Sequence, residues 1–221
     1  MSSARVSARD SAPRPPGRPR LYEPDAERDR ILSAALAVLR RSDGAEATVA
    51  DILEASGLST RAFYRHFETK EDVVRALYQR DAESFGAHLR RQLDRAADPA
   101  EGLEIWVFEM LGLAYDRRRA ERVSALRSSM VERVMAGTKE QRLALMLLHG
   151  PLRQVLEEGL SAGVFPNART ELDAHTILAM VWEAVTWAVT GTIKLSRREA
   201  ADYVLSFALA ALQDPGPTIR G

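Results

Sequence analysis

The feature that most constrains the fold of this chain is a repeated helix-start signal. Six times, a Ser, Thr or Asp is followed three residues later by an acid or an amide, a spacing that lets two side chains bond each other's backbone N–H groups. The pairs are Thr48–Asp51, Thr69–Asp72, Asp98–Glu101, Thr138–Gln141, Thr170–Asp173 and Ser196–Glu199. We see neither strand alternation nor an internal repeat between them. The pattern therefore predicts an all-α chain.

The helices divide the chain into two domains with less ordered ends. The predicted helices cover 25–41, 48–56, 59–67, 70–97, 99–115, 118–136, 139–163, 170–192 and 196–212. Gly150-Pro151 is expected to kink or split its helix, because proline lacks an N–H group. Residues 1–24 are rich in Pro, Ser, Arg and Ala and predict a disordered basic arm. The other predicted units are a first domain at 25–80, a second at 81–213 and a flexible tail at 214–221.

Composition restricts the functional classes. The chain of 221 residues has no cysteine, which argues against disulfides, a thiolate nucleophile and a cysteine-ligated metal site. No apolar run reaches the roughly 18 residues of a membrane helix, and the start lacks the apolar stretch of a secretory signal. We therefore expect a cytoplasmic protein with no membrane partner. The net charge is zero, but five arginines against one aspartate in the first 20 residues allow local contact with phosphates.

Two short helices around Gly57 form the most informative segment. Thr48 is expected to cap the first, whose Ile52 and Leu53 face inward. Gly57 follows where a helix needs a left-handed residue to end, and Ser59 can cap the second helix. Two short helices joined by a tight glycine-containing turn indicate a helix-turn-helix.

The second short helix has two opposite faces. At about 100° per residue, Phe63 and Phe67 point to one side, whereas Arg61 and Arg65 point to the other. A helix anchored by two phenylalanines and presenting arginines suits the DNA major groove, where arginine can bond guanine edges. The alternative is an ordinary amphipathic helix whose arginines are only solvated.

Two flanking features favour the DNA interpretation. Lys70 begins the next helix, where the helix N-terminus and the ammonium group can together hold a phosphate. Arg18 and Arg20 lie in the arm, in the sequence Gly17-Arg18-Pro19-Arg20. A short basic arm can enter a minor groove, and the alternative is a plain disordered tail.

The segment TVADILEASGLSTRAFYRHFETKEDVVRAL, preceded by RILSAALAVLRRSDGAEATV, resembles the N-terminal DNA-binding domain of TetR-type transcriptional repressors. The resemblance covers about residues 26–77, and the spacing Tyr64-x-His66-Phe67-x-x-Lys70 is its most specific part. It implies a homodimer with an N-terminal three-helix helix-turn-helix DNA-binding domain and a C-terminal helical-bundle domain for ligand binding and dimerisation. Where some members carry a hydroxyl, this chain has Ala62, which could instead touch a thymine methyl.

The resemblance implies operator contacts from Thr48, Thr60, Arg61, Tyr64, His66 and Lys70. The helical wheel adds Arg65. The full candidate DNA-binding set is Arg18, Arg20, Thr48, Ser59, Thr60, Arg61, Tyr64, Arg65, His66 and Lys70.

The C-terminal domain is expected to hold both a dimer interface and a cavity. The resemblance implies that helices near 151–163 and 170–192 pair with a second copy, and Ala184, Ala188 and Thr192 offer a strip of small residues. The candidate ligand-binding residues are Trp106, Phe108, Met110, Tyr115, Met130, Met135, Trp182 and Glu183. The alternative is that the apolar ones are ordinary core residues and that Glu183 faces solvent; a buried carboxylate would need a partner.

No enzymatic pattern accompanies these features. The sequence lacks a nucleophile elbow, a phosphate loop, a dinucleotide glycine motif and paired Glu-x-x-His segments. Glu171 and His175 lie four residues apart, which is too little to predict a metal site. We therefore predict no catalytic residue, no metal and no cofactor.

The sequence as a whole predicts a ligand-responsive transcriptional regulator. It would act as a homodimeric repressor, released from a palindromic double-stranded DNA operator by a small apolar effector. The alternatives are a helical-bundle enzyme and a dimeric adaptor that shares the fold without binding DNA.

Overall fold

The computed structural model describes residues 24–41 and 47–214, and over these ranges the chain forms helices and no strand. The helices are α1 (Pro24–Arg41), α2 (Val49–Ser56), α3 (Thr60–His66), α4 (Lys70–Leu93), α5 (Pro99–Tyr115), α6 (Arg117–Leu126), α7 (Ser129–Met135), α8 (Lys139–Ser161), α9 (Thr170–Thr190) and α10 (Arg197–Gln213). The all-α prediction is confirmed. The predicted arm with Arg18 and Arg20, and the predicted tail, lie outside the described residues except for Pro24 and Asp214.

Five of the six predicted helix starts are formed by the predicted residues. Thr48, Thr69 and Ser196 each form a reciprocal capping box with the acid three residues later. Asp98 and Thr138 accept hydrogen bonds from the third backbone N–H of their helices. These caps satisfy N–H groups that have no partner within the helix.

At the sixth predicted helix start, the start of α9, the predicted capping residue is wrong. Thr170 is the first residue of α9 rather than its cap, and the Asp173 carboxylate accepts from the backbone N–H of Arg169 at 2.6 Å. Asp173 thus contributes as its position predicts, but the hydroxyl of Thr170 does not. The carboxylate bonds the N–H of the residue four positions before it, whereas a capping box spans three. The N-cap position is therefore Arg169, one residue before the predicted cap.

One further prediction about helix continuity is wrong, and one of two alternatives left open for another helix is excluded. The helix predicted at 118–136 is interrupted at Arg127 and Ser128, which separates α6 from α7. The interruption lets Ala125 of α6 and Val131 of α7 both reach one apolar core. Conversely, α8 is not split at Pro151 and runs past it as one helix. Buried residues beyond the proline hold the second half of α8 in place.

The buried residues form two apolar cores. In the first, Trp106 and Met110 of α5 pack with residues of α8, α9 and α10. In the second, Ile31, Phe63 and Leu77 of the N-terminal helices pack with buried residues of α6 and α7. Two helices that lie within the predicted second domain therefore complete the core of the first.

The long helix α4 connects these cores. Its residues Val73 and Leu77 belong to the second core, and Leu89 belongs to the first. At Gly86 a side chain would lie 3.2 Å from Cβ of Leu147 and 3.3 Å from its carbonyl oxygen. The glycine therefore permits a close crossing of α4 and α8. No helix in the described ranges has both the length and the apolar character needed to cross a membrane.

Candidate nucleic-acid interface and effector cavity

The turn between α2 and α3 has the predicted geometry. Gly57 adopts φ 65° and ψ 21°, a left-handed conformation that strains other residues, and its N–H donates to the Leu53 carbonyl at 2.9 Å. The buried Ser56 hydroxyl accepts from the N–H of Leu58, and the Ser59 hydroxyl accepts from the N–H of Ala62. The short turn fixes α3 relative to α2.

The two phenylalanines of the segment anchor α3. Phe63 is 0 % exposed and Phe67 is 5 % exposed, and their ring centroids lie 6.1 Å apart. Arg61 is exposed on the opposite side, Thr60 is exposed on the flank, and Tyr64, on the same flank, is 56 % exposed. The predicted orientation of the helix is confirmed for these residues.

The last turn of α3 is tied to α1 by a buried carboxylate. Nη1 of Arg65 donates to Oε2 of Glu27 at 2.6 Å, and Nε2 of His66 lies 3.0 Å from the same oxygen. The hydrogen bond from His66 lowers the pKa of Glu27; burial opposes this effect, and the charge of Arg65 adds to it. The cluster thus holds Glu27 ionised and holds α3 against α1.

This cluster adds a structural role to two predicted DNA-binding residues. Arg65, which is exposed, and His66 both bond Glu27 and so help to orient α3, and their contact with DNA stays a prediction. Sequence reasoning missed Glu27, although a signal was present. It lies four residues before Ile31 and eight before Ala35, on the apolar stripe of α1, where an acid needs a partner.

The remaining candidates lie at helix starts beside α3. Thr48 is exposed, but its hydroxyl and its N–H both donate to the Asp51 carboxylate, and the hydroxyl accepts from the N–H of Asp51. Its polar groups therefore already have partners within the capping box. The equivalent box of Thr69 and Asp72 begins α4 and sets Lys70 at its first position.

A separate cavity of about 570 Å³ lies beside α6 and α7. Apolar walls come mainly from α4, α7, α8 and α9, and they include Tyr78, Phe85, Leu113, Met135, Leu148 and Trp182. The charged groups on the wall are Asp81, His88, Arg91, Arg119, Arg122, Arg127 and Glu132. Four arginines against two acids leave this apolar cavity with an excess of positive charge.

Most of the residues predicted to line a cavity lie elsewhere, and only Met135 and Trp182 line this one. Trp106, Met110 and Met130 are core residues. Helix α5 packs against α8, α9 and α10, so most of its apolar side chains face other helices. The Tyr115 hydroxyl donates to the Leu195 carbonyl at 2.9 Å. Phe108 is an exposed residue beneath the Arg197 guanidinium, and Glu183 faces solvent.

Two of the cavity arginines are neutralised by carboxylates. Arg122 donates from Nε and Nη2 to Asp81, at 2.5 and 2.6 Å. Arg119 lies 3.4 Å from Glu109, which also hydrogen-bonds His88 at 2.7 Å. Burial alone would raise the pKa of Glu109, but the hydrogen bonds from His88 and Arg119 outweigh it and lower the pKa.

Arg127 differs from these paired arginines. Its Nη1 donates to the Thr186 hydroxyl at 2.5 Å, and its guanidinium lies 5.5 Å from the centroid of the Trp182 ring. Within the described ranges it forms no ion pair. Among the residues that the structure describes, the only polar partner of the Arg127 guanidinium is therefore a neutral hydroxyl.

Comparisons with known proteins agree with this architecture. The family model described as bacterial regulatory proteins, tetR family, matches residues 31–77. The HTH-type transcriptional repressor KstR2 of Mycolicibacterium smegmatis is 26% identical over 199 residues, covering 86% of this chain and 92% of that protein. Two solved regulators share the fold. FadR from Bacillus halodurans, a fatty acid degradation regulator, is 28% identical with a TM-score of 0.69, covering 85% of this chain and 96% of that one.

The second solved regulator with this fold is FadR from Bacillus subtilis in complex with stearoyl-CoA. It is 19% identical to this chain with a TM-score of 0.68, and the match covers 84% of this chain and 99% of that one. The matched N-terminal domain contains α2, α3 and the phenylalanine anchor, and the coverage extends the likeness through the C-terminal bundle. Residues 31–77 therefore match the tetR family, and the chain as a whole is similar to TetR-type transcriptional regulators.

Proposed function

We propose that this regulator is a homodimeric repressor that inserts α3 into the major groove of a near-palindromic operator. The observation that carries the proposal is an anchored helix whose outward side chains are Thr60, Arg61 and Tyr64. Arg61 is the candidate for a guanine edge, and Thr60 and Tyr64 are candidates for phosphates. Lys70 and the N-terminus of α4 add a phosphate contact that is independent of sequence.

A dimer is the form that fits this reading. Two copies of α3 about 34–36 Å apart would contact half-sites one helical turn apart. In the predicted strip of small residues, Ala184 is buried within its own chain, so it is a poor candidate for the contact. Leu160 on α8 and Leu172 on α9 are exposed at 41 % and 61 % and are better candidates.

The effector we propose is an organic anion with an apolar body, which refines the apolar molecule expected from the sequence. Apolar walls can bury the body, and Arg127 can bond the anionic group without first losing a carboxylate partner. Stearoyl-CoA, bound by the Bacillus subtilis FadR, has this combination of an apolar chain and anionic groups. A long-chain acyl-CoA is therefore the first effector to test.

Helix α6 is the proposed route from the cavity to DNA. Its Glu121 pairs with Arg40 of α1, and its Arg122 pairs with Asp81 of α4. Its Ala125 packs in the core that holds α3. An effector that binds better to one position of α6 than to another would shift α1 and α3 with it, which is the condition for coupling between the sites.

The DNA assignment is tested by fluorescence anisotropy with fragments of the upstream region of the gene. We expect Arg61→Ala to reduce discrimination at one base pair by about 1–3 kcal/mol. Lys70→Ala should weaken all fragments alike and reduce the salt dependence by about one phosphate contact.

Arg90→Ala is the matched control for this experiment. Arg90 is exposed on the same helix as Lys70, about 30 Å further along at 1.5 Å per residue. Its removal should leave operator binding unchanged. If Arg61→Ala and Lys70→Ala also leave both affinity and preference unchanged, the DNA-binding proposal is wrong and a non-DNA-binding adaptor becomes the better reading.

A further inference from the structure

Three potential metal ligands meet outside the DNA-binding face and the effector cavity. His149 lies on α8, and Glu171 and His175 lie on α9. One ligand-capable atom from each lies within 4.8 Å of the other two. The two imidazole centroids are 4.0 Å apart, and Oε1 of Glu171 lies 4.0 Å from Nε2 of His149 and 3.6 Å from Nδ1 of His175.

His149 supplies an atom that the protein itself leaves unused. Its Nε2 is buried and has no hydrogen-bond partner among the described residues, and its side chain is 12 % exposed. A buried polar atom without a partner costs about 1–3 kcal/mol. Such an atom calls for a partner, and a bound metal ion would supply one.

His175 has the hydrogen bond that metal-binding histidines commonly make. Its Nδ1 lies 2.8 Å from the backbone carbonyl oxygen of Glu171. Since a carbonyl oxygen only accepts, Nδ1 carries the proton, and Nε2 keeps the lone pair that a metal requires. To bind the ion, the ring would present Nε2 in place of Nδ1, the nitrogen that now lies 3.6 Å from Oε1 of Glu171.

The two oxygens of the Glu171 carboxylate face different neighbours, Arg153 on one side and the two histidines on the other. Its Oε2 lies 3.8 Å from Nε of Arg153, which also pairs with Glu157. Its Oε1 is the oxygen nearer to the histidines. Arg153 can therefore orient the carboxylate from outside while the other oxygen remains available as a ligand.

We propose that His149, Glu171 and His175 bind a divalent transition-metal ion, with Zn²⁺ as the first candidate. Two imidazoles and one carboxylate form a ligand set that zinc uses with an open fourth position. Zinc–ligand distances of about 2.0–2.1 Å place tetrahedral ligand atoms about 3.3 Å apart. The ligand atoms now lie within 4.8 Å of one another, so side-chain rotations must close their separations by up to about 1.5 Å.

The bound ion would join the first turns of α9 to the middle of α8. The Arg169 side chain does not cap α9, and the local support at this helix start is the bond from the Arg169 N–H to Asp173. Because both ligating histidines and the glutamate come from these two helices, metal binding is expected to stabilise them against each other.

The proposal is tested on the full chain, purified without a histidine tag and treated with a chelator. Isothermal titration with Zn²⁺ should give one site per chain, and Co²⁺ should show the visible absorption of a bound ion. Zn²⁺ should also raise Tm. His175→Ala and Glu171→Gln, at residues that are both exposed, should each weaken Zn²⁺ binding about tenfold or more.

His88→Asn removes a histidine from the effector cavity and is the matched control. It should keep the Zn²⁺ affinity and the rise in Tm. The proposal is overturned if Zn²⁺ does not bind at about 100 µM. It is equally overturned if His175→Ala and Glu171→Gln bind Zn²⁺ as the wild type does, since the ion would then be adventitious.

Discussion

At the scale of single residues, Glu27 decides what the end of α3 can do. It is a nearly buried carboxylate, and Arg65 and His66 both bond one of its oxygens. Removing one partner from such a group leaves polar atoms unsatisfied. We therefore expect these three residues to act on DNA binding through the position of α3, whereas Arg61 and Tyr64 act through contact.

The first prediction concerns the pH dependence that Glu27 gives to stability. Its pKa in the folded protein is lowered from an ordinary value of 4.5. Its contribution is therefore present above the unfolded-state pKa and is lost as the pH falls through the folded-state pKa. Glu27→Gln should be less stable than the wild type near neutral pH, and the difference in the free energy of unfolding should shrink below pH 4.5.

Urea denaturation of both proteins between about pH 7 and pH 3 measures this difference. Glu54→Gln, at an exposed position on α2, controls for the loss of a glutamate in the same domain. A difference between Glu27→Gln and wild type that stays constant or widens toward low pH would contradict the role given to Glu27.

At the scale of helices, local sequence signals predicted most helix starts. They failed at positions where packing between distant helices decides whether a helix continues. Caps depend on residues three apart, and so Thr48, Thr69 and Ser196 were readable from the sequence. The interruption after α6 has no proline or glycine to mark it. Pro151 marks a break that does not occur, because Leu152 and Leu156 beyond it are buried in the first core.

The same limit applies to the candidate sites. The helix-turn-helix lies within about 20 consecutive residues, so its turn and its phenylalanine anchor could be predicted locally. The cavity and the His149 cluster are assembled from several helices. Glu171 and His175 were visible as a pair, but His149 joins them only through the packing of α8 against α9.

The second prediction compares two hydroxyls at helix starts. Ser196→Ala removes a side chain that accepts from the N–H of Glu199, and it should cost about 1 kcal/mol. Thr170→Ala leaves the bond from the Arg169 N–H to Asp173 intact, and should cost less than about 0.5 kcal/mol.

Urea denaturation with a common slope gives both values. The two variants are matched, since each removes a hydroxyl-bearing side chain from the start of a long C-terminal helix. An equal loss of stability in both would mean that Thr170 caps α9 after all.

At the scale of the whole molecule, the two apolar cores are not separate modules. Helices α6 and α7 line the cavity on one side and complete the core around α3 on the other. Val131 and Met135 belong to both surfaces. In the proposed mechanism, a change in cavity occupancy would reach the DNA-binding domain through these shared side chains.

The last prediction tests this coupling through Arg127. Stearoyl-CoA should lower the affinity of the wild type for its operator, and Arg127→Gln should need about tenfold more of it, which is about 1.4 kcal/mol. Glutamine can still donate to the Thr186 hydroxyl but has no charge for the anion. Arg118→Gln, at an exposed position on α6, the helix that ends just before Arg127, is the control and should respond like the wild type. Without effector, all three proteins should bind the operator equally, as measured by anisotropy.

The anionic dye ANS tests the cavity even if stearoyl-CoA is not the effector. Arg127→Gln should bind ANS more weakly than Arg118→Gln does. Equal binding of the dye by both variants would rule out Arg127 as the residue that binds the anionic group.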